Sequence, residues 1–226
     1  MDHPKNTRRI KKIKMMSHRN KAITKEEQNK LTPMIVLQDF IAGNSRFIKN
    51  KVHTADHKAL ITQTTDGQHP KAIVLSCIDS RVPVELIFNQ TIGDIFVARV
   101  AGNFENTDIL GSMEYSCKVA GSKLVFVLGH ESCGAIKAAC DHVELGNITA
   151  MLNNIQPAVQ KSEKEVSGEH DSSNIDFVNK TIENNVQLTI ERIRDKSPIL
   201  SEMEANGEIK IVGGVYHISN GKVTLL

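Results

Sequence analysis

Three short apolar runs alternate with helix-like stretches through the middle of the chain. The apolar runs are KAIVLSC (71–77), DIFVARVAG (94–102) and KLVFVLGH (123–130), and the helix-like stretches are TDILGSMEYSCKVAG (107–121) and CGAIKAACDHVELG (133–146). Each apolar run has the length of one buried strand. Strands that alternate with helices are typical of a parallel sheet, so the pattern predicts an α/β fold.

The flanking segments add helices before the sheet and a hairpin after it. LTPMIVLQDFIAGNSRFIKN (31–50) places apolar residues at helical spacing after a Thr-Pro start. Helices dominate from 148 to about 206 around a polar loop at 160–174, and EIKIVGGVYHISNGKVTLL (208–226) has an Asn-Gly turn between two apolar runs. We therefore expect a central, mainly parallel β-sheet flanked by helices, with an N-terminal helical arm and a C-terminal helical segment and β-hairpin.

Positive charge is concentrated at the amino terminus. The formal net charge is +2, yet residues 1–22 hold eight Lys or Arg and a single Asp, so the remaining residues together carry −5. Aromatic residues make up only 4% and tryptophan is absent, which argues against a nucleic-acid-binding face. We expect a disordered basic tail over residues 1–30 and a single α/β domain over residues 31–226.

The apolar segments and the cysteines indicate the compartment. No run approaches the roughly 18 to 20 apolar residues of a membrane-spanning helix, and charges interrupt RRIKKIKMM (8–16) where a secretory signal would need an apolar core. The four cysteines lack the close, even spacing of a disulfide framework. We expect a cytoplasmic protein with no membrane span and with metal-binding or structural thiols.

Two cysteines and a histidine fall where predicted strands end. Cys77 ends the first strand, His130 ends the third, and Cys133 follows where the chain turns into a helix. Ligand sites of parallel sheets gather at the carboxyl ends of the strands. Two thiols and one imidazole are ligands that tetrahedral zinc prefers, so we predict one Zn²⁺ per chain at this edge. Cys117 and Cys140 lie inside predicted helices and are expected to be buried structural thiols.

Other thiol and nucleotide chemistries do not fit. A phosphate-binding cysteine loop needs an arginine six residues after the cysteine, and Pro83 stands there instead. The chain has no C-x-x-C pair for redox exchange and no glycine-rich phosphate-binding loop. Metal binding therefore remains the interpretation of Cys77.

With these residues the sequence resembles the β class of carbonic anhydrases. CIDSR (77–81) is followed about fifty residues later by GHESCG (129–134), and GQHPKAIVLSC, GDIFVARVAGN and ILGSMEYSCKVAGSKLVFVLGH agree with the same family. The resemblance runs from about residue 31 to the end of the chain. It implies a zinc lyase that interconverts CO₂ and bicarbonate by attack of zinc-bound hydroxide on CO₂. It also implies a homodimer or higher homo-oligomer in which the N-terminal helical arm embraces a neighbouring subunit.

An acidic and a basic residue directly follow the first ligand. A bidentate Asp79–Arg81 pair would hold the carboxylate off the metal, where it accepts the hydroxide proton and orients the oxygen towards CO₂. Without that pair, Asp79 becomes a conditional fourth metal ligand in a closed state. We therefore assign Asp79 and Arg81 as the catalytic residues.

The resemblance also implies a substrate pocket. Gln68 would donate its side-chain amide, and Gly134 its backbone N–H, to the bicarbonate-like oxygens. Phe96, Ala101 and Tyr115 would form an apolar wall for CO₂, partly from the adjacent subunit. Packing in the core is an equally good interpretation of Phe96 and Tyr115, because both lie in strongly apolar segments.

Two other functions stay open at this point. One is a non-catalytic zinc- or bicarbonate-binding module in the same fold, and the other is a hydrolase of a CO₂ analogue such as carbonyl sulfide or carbon disulfide. Asp79, Arg81 and Gln68 disfavour the module, because a structural zinc site closes its fourth position with a permanent ligand.

One regulatory feature of the family is incomplete in this sequence. Some β-class enzymes hold bicarbonate in an inhibitory pocket built from a tryptophan three residues before the first zinc cysteine, an arginine on the next strand and a tyrosine near the carboxyl end. Arg99 and Tyr216 match two of these positions, but Val74 stands at the third and offers no indole N–H. Together with Gln68, this resembles the plant-like branch and predicts activity without bicarbonate-induced shut-off.

Overall fold

The computed structural model describes residues 20–226, so most of the predicted basic tail, residues 1–19, lies outside the described range. Within this range the helices are α1 (Lys25–Asn29), α2 (Pro33–Ile48), α3 (His57–Gln63), α4 (Val84–Ile87), α5 (Thr107–Glu114), α6 (Gly134–Cys140), α7 (Gly146–Leu152), α8 (Gln156–Ser162), α9 (Ile175–Lys196) and α10 (Pro198–Ala205). The strands are β1 (Ala72–Ser76), β2 (Ile95–Arg99), β3 (Leu124–His130), β4 (Lys210–Tyr216) and β5 (Val223–Leu225). One π-helical segment, Tyr115–Val119, continues α5.

The five strands form one mainly parallel sheet. Their order is β2-β1-β3-β4-β5, in which β1 pairs in parallel with β2 and β3, β3 pairs in parallel with β4, and β5 is antiparallel to β4. This topology confirms the predicted α/β sheet and the C-terminal hairpin. Because β1 and β3 are adjacent and parallel, the residues that follow Ser76 and Leu128 meet at the same edge of the sheet.

Helices cover both faces of the sheet, as the alternation of strand side chains requires. Ile73 and Leu75 of β1 point into a core that includes Val186 of α9. Val74, between them, belongs to the opposite core, with Phe40 of α2. The two cores lie on either side of the same strand and fix the position of its carboxyl end.

The N-terminal helices begin earlier than the sequence suggested. Thr24 caps α1 through a capping box, and Gln28 is fully buried, where its side-chain amide donates to the Pro70 and Ala120 carbonyls. The ordered part of the chain therefore includes residues that we had placed in the tail, and the predicted boundary at residue 31 is too late.

The predicted N-terminal helical arm is α2. Thr32 caps it by accepting a hydrogen bond from the Ile35 N–H. Phe40 on its inner face packs against Phe88, with tilted rings whose centroids are 4.6 Å apart, so this face belongs to the core of the same chain. Its outer face carries a stripe of half-exposed apolar residues spaced by seven: Met34, Ile41 and Ile48.

The long helix α9 lies unusually close to the sheet. A Cβ at Gly213 of β4 would stand only 2.4 Å from a methyl carbon of Val186, so glycine is required where helix and strand meet. The preceding turn of α9 lies nearer the carboxyl edge of the sheet, because a Cβ at Gly129 of β3 would meet Val186 and Ile182. Among residues 20–226, no helix combines the length and the apolar character needed to cross a membrane.

Strand β2 forms an open edge of the sheet. Beside it lies a groove of about 700 Å³, lined by residues of β2, α5 and the start of the π-helical segment, including Phe96 and Tyr115. Tyr115, which lines this groove, is 57% exposed. This side of the molecule therefore presents apolar surface and unpaired strand backbone to its surroundings.

Candidate metal centre

Cys77, His130 and Cys133 converge at the carboxyl edge of the sheet. Cys77 directly follows β1, His130 is the last residue of β3, and Cys133 immediately precedes α6. Their ligand atoms all lie within 4.8 Å of one another, and the three residues are buried. The two Sγ atoms are 3.9 Å apart. Within residues 20–226, this is the single cluster of its kind.

The imidazole of His130 is oriented as a ligand. Its Nδ1 lies 2.8 Å from the Glu131 carbonyl oxygen, which can only accept a hydrogen bond, so Nδ1 carries the proton. The lone pair is then on Nε2, which is completely buried and has no hydrogen-bond partner in the described structure. An orphaned buried nitrogen is costly unless a ligand satisfies it.

The spacing of the donors fits a tetrahedral zinc ion. Zn–S bonds of about 2.3 Å at a tetrahedral angle place two sulfurs about 3.8 Å apart, close to the observed 3.9 Å. The donor set of two sulfurs and one imidazole nitrogen suits zinc, and it leaves a fourth position. The cluster is therefore consistent with one zinc ion per chain.

The two site thiols behave as a coupled pair. The hydrogen bond from the Cys133 thiol lowers the pKa of Cys77, and the contacts with His130 and the Gly102 N–H lower it further. Because the shared proton stays on Cys133, the pKa of that thiol is raised. The pair thus releases one proton easily and the second reluctantly, unless a cation replaces it.

The other two cysteines lie outside the cluster, as predicted. Burial raises the pKa of Cys117 to about 12 and that of Cys140 to about 11. Cys117 belongs to the π-helical segment and Cys140 ends α6. Both thiols remain protonated near neutral pH and pack in the cores.

Asp79 and Arg81 form a bidentate pair beside the cluster. Arg81 donates from Nε to Oδ1 at 3.0 Å and from Nη2 to Oδ2 at 2.7 Å, and its backbone N–H donates to Oδ1 at 2.9 Å. These bonds lower the pKa of Asp79 to about 2. The same Oδ2 is 4.0 Å from His130 Nε2, so the carboxylate lies at the metal centre while Arg81 occupies both of its oxygens.

The structure places the other expected site residues at two distances from the centre. Ala101 precedes Gly102, whose N–H donates to Cys77 Sγ, and Gly134 directly follows Cys133. Phe96 and Tyr115, with ring centroids 6.2 Å apart, line the groove beside β2, which none of the three ligands lines. Gln68 is exposed in the loop before β1. Within one chain, Phe96 and Tyr115 are thus separate from the metal centre, whereas Ala101 is next to it.

Arg99 supports the centre in a way that the sequence did not reveal. It donates from Nε to the Cys77 carbonyl and from Nη2 to the Asp79 and Val82 carbonyls. The guanidinium therefore fixes the loop that carries Cys77, Asp79 and Arg81. The position of Arg99 could have indicated this role, because Arg99 ends β2 opposite Ser76, the residue before Cys77.

The fold and the donor set define a zinc-site α/β protein whose ligands come from the carboxyl ends of neighbouring parallel strands. The carbonic anhydrase family model matches residues 72–223. Carbonic anhydrase 2 of Mycobacterium tuberculosis is 34% identical over 192 residues, which cover 81% of this chain and 87% of the relative. The chain belongs to the β-class carbonic anhydrase family.

Solved structures show the same fold. The β-carbonic anhydrase of Coccomyxa, solved in complex with acetazolamide, is 25% identical and superposes with a TM-score of 0.67, covering 84% of this chain and 86% of the other. A tetrameric β-carbonic anhydrase of the ascomycete Sordaria macrospora has the same TM-score at 22% identity, covering 84% and 96% of the two chains. The predicted family and enzyme class are therefore confirmed.

Proposed function

We propose that this chain catalyses the reversible hydration of CO₂ to bicarbonate and a proton, and that Asp79 and Arg81 control the fourth position of its metal. The observation that carries the proposal is the carboxylate beside His130 whose two oxygens are both held by Arg81. A structural zinc site would close its fourth position with a permanent ligand. Here the nearest candidate ligand is restrained instead.

Each group then has a defined task. A zinc ion held by Cys77, His130 and Cys133 supplies, when bound, a Lewis acid that makes a nucleophile available from water near neutral pH. Asp79 stays ionised, and an ionised carboxylate only accepts hydrogen bonds. It therefore accepts the O–H of the nucleophile and orients the oxygen towards CO₂.

Arg81 keeps the carboxylate in that role. Its Nη2 also approaches the Ser132 carbonyl at 3.3 Å, which links the pair to the loop between His130 and Cys133. Arg81 thus holds both Asp79, the hydrogen-bond acceptor, and the loop that joins two of the metal ligands. Displacement of Arg81 would free Asp79 to become the fourth ligand, which is the closed state of the site.

The substrate pocket is completed, in this proposal, by a second copy of the chain. Phe96 and Tyr115 line an apolar groove at the open edge of the sheet, away from the ligands of their own chain. A homodimer that pairs these edges would cover the apolar surface and carry Phe96 and Tyr115 towards the partner's metal, where they complete the apolar wall with that subunit's Ala101. Gln68 and the Gly134 N–H would bind the bicarbonate oxygens.

We also assign the chain to the plant-like branch of the family, without an inhibitory bicarbonate pocket. Val74 is fully buried and offers no hydrogen-bond donor. Arg99 is already engaged with three backbone carbonyls of the Cys77 loop, so its guanidinium is committed to that loop rather than to an anion.

Stopped-flow CO₂ hydration on protein of measured zinc content tests the function, and sedimentation of the same sample tests the dimer. We expect turnover in proportion to the zinc content. Protein with one zinc per chain and no hydration activity would reject the proposal, and turnover of carbonyl sulfide in place of CO₂ would indicate the analogue hydrolase instead. An active monomer would reject the shared pocket.

A further inference from the structure

One residue, Gly102, links the long helix α9 to a metal ligand through its two backbone polar groups. The Gly102 N–H donates to Cys77 Sγ at 3.4 Å. The Gly102 carbonyl accepts a hydrogen bond from Nδ2 of Asn185, on α9, at 2.8 Å. A buried side chain far along the sequence therefore holds the residue whose amide contacts the sulfur.

The turn that presents this amide requires glycine. The Asn103 N–H donates to the Val100 carbonyl and closes a four-residue turn in which Gly102, at the third position, has a φ of +83°. A type II turn requires such a φ at this position. A Cβ on Gly102 would also stand 2.5 Å from Cδ1 of Ile155. The space and the backbone conformation both exclude a side chain.

The backbone freedom of Gly102 means that its N–H could adopt other orientations. Glycine adopts positive and negative φ with similar ease, so Gly102 alone does not keep its N–H aimed at the sulfur. Rotation of that peptide would turn a carbonyl oxygen towards the thiolate, with like partial charges facing each other. The orientation depends on contacts that fix the neighbouring groups.

Asn185 is placed to supply such a contact. Its side chain is 1% exposed, and its neighbour Val186 is pressed against Gly213, so α9 cannot move away from the sheet without losing close packing. Nδ2 of Asn185 can therefore reach the Gly102 carbonyl from a rigid position.

We propose that Asn185 is a positioning residue of the metal centre, which acts through Gly102 to set how strongly the Cys77 thiolate donates charge to the metal. A hydrogen bond to a thiolate withdraws electron density from the sulfur and fixes its lone-pair direction. The proposal deepens the proposed hydration function and rests on it only for its consequence in turnover.

Asn184 provides a matched control on the same helix. It is equally buried at 1% exposed, and its Oδ1, like that of Asn185, has no partner in the described structure. Its Nδ2 donates to Ser162 Oγ and to Glu165 Oε2, both at 2.9 Å, and not to the metal loop. Asn184→Leu therefore removes at least as much buried hydrogen bonding as Asn185→Leu.

The test uses the full chain loaded with Co²⁺, whose thiolate charge-transfer absorption reports electron donation by sulfur. In Asn185→Leu we expect this absorption to move to lower energy and the metal affinity to fall about 10- to 100-fold, as for other partners of metal ligands. Asn184→Leu should keep the wild-type spectrum and affinity. An unchanged spectrum in Asn185→Leu, or the same shift in Asn184→Leu, would overturn the proposal.

Two further measurements keep the test decisive. If Asn185→Leu does not fold, Asn185→Ala and Asn184→Ala replace the leucine pair. In wild-type protein carrying ¹¹³Cd and ¹⁵N-glycine, the Gly102 amide proton should show scalar coupling to the metal, and its absence would also overturn the proposal. CO₂ hydration by the zinc form is measured separately. If the zinc form of the wild type does not hydrate CO₂ but the Co²⁺ spectrum of Asn185→Leu is shifted, the proposed function alone is rejected. If the zinc form hydrates CO₂ but the spectrum is not shifted, the role of Asn185 alone is rejected.

Discussion

Gly102→Ala perturbs the turn beside Cys77 in two separable ways. The new Cβ would stand 2.5 Å from Cδ1 of Ile155, and the residue would keep a φ of +83°. A left-handed conformation costs an L-residue about 1–2 kcal/mol. Overpacking of a filled core costs about 1–3 kcal/mol. The variant should therefore lose about 2–5 kcal/mol of unfolding free energy.

A second glycine isolates the backbone part of this loss. Gly207 has a φ of +72°, but a Cβ there would meet nothing within 4 Å. Gly207→Ala should therefore cost only about 1–2 kcal/mol. Ile155→Val removes the atom that the new methyl meets, so the combination with Gly102→Ala should be less destabilised than the sum of the single variants by about 1 kcal/mol.

Urea-induced unfolding of the metal-free and zinc-loaded forms measures these differences. We expect Gly102→Ala to be less stable than Gly207→Ala in both forms. Zinc should raise the unfolding free energy of Gly102→Ala by less than that of wild type, because the hydrogen bond from the backbone N–H of residue 102 to Cys77 Sγ is displaced. Equal destabilisation of the two glycine variants, with no rescue by Ile155→Val, would refute the packing argument.

Four further outcomes test the site. Arg81→Ala should keep zinc yet lower kcat about 100-fold or more, because the freed Asp79 becomes a fourth ligand: its Oδ2 lies 4.0 Å from His130 Nε2, and two tetrahedral zinc ligands at about 2 Å lie about 3.3 Å apart, so a small movement suffices. The bidentate arginine pair elsewhere, probed by Arg194→Ala, should not affect turnover. Cys133→Ala should lose zinc and activity by metal analysis and stopped flow, whereas Cys117→Ala retains both. The pKa of Asp79 is lowered from 3.8 to about 2, so the stabilisation by its pair with Arg81 is full above about pH 4 and is lost as the pH falls towards 2. Because Val74 offers no indole N–H for an inhibitory bicarbonate, activity in a pH–rate profile should fall smoothly below neutral pH, with bicarbonate acting only as product. Tyr115→Glu, which places a charge on the apolar groove, should dissociate the proposed dimer in sedimentation and reduce turnover, and an active, intact dimer would contradict the edge pairing.

The ligands could be predicted because each one marks a local boundary. Cys77 and His130 end apolar runs, and a parallel sheet brings such ends together whatever the connecting helices are. Asp79 and Arg81 were predictable for a similar reason, since a spacing of two residues keeps them within the same loop as Cys77.

The sequence did not show which distant groups meet the centre. Asn185 lies in a helical stretch where buried and exposed asparagines look alike, and its contact with Gly102 arises only when α9 packs on the sheet. The boundary at residue 31 was wrong because Gln28 is a polar residue in a short, charged helix, and its burial comes from carbonyls of remote segments. The spacing of apolar residues does not predict such polar contacts between remote segments.

The pairing of β1 with β3 gives the metal a role in folding as well. Cys77 follows β1 and His130 ends β3, so the two ligands meet only when Ala72 is aligned with Leu124. A slip of one residue would shift a strand by about 3.3 Å and turn its side chains to the opposite face, which separates the donors beyond any bond to one ion. Zinc therefore binds only chains in which β1 and β3 are paired in this register, and its binding free energy stabilises that register over the alternatives.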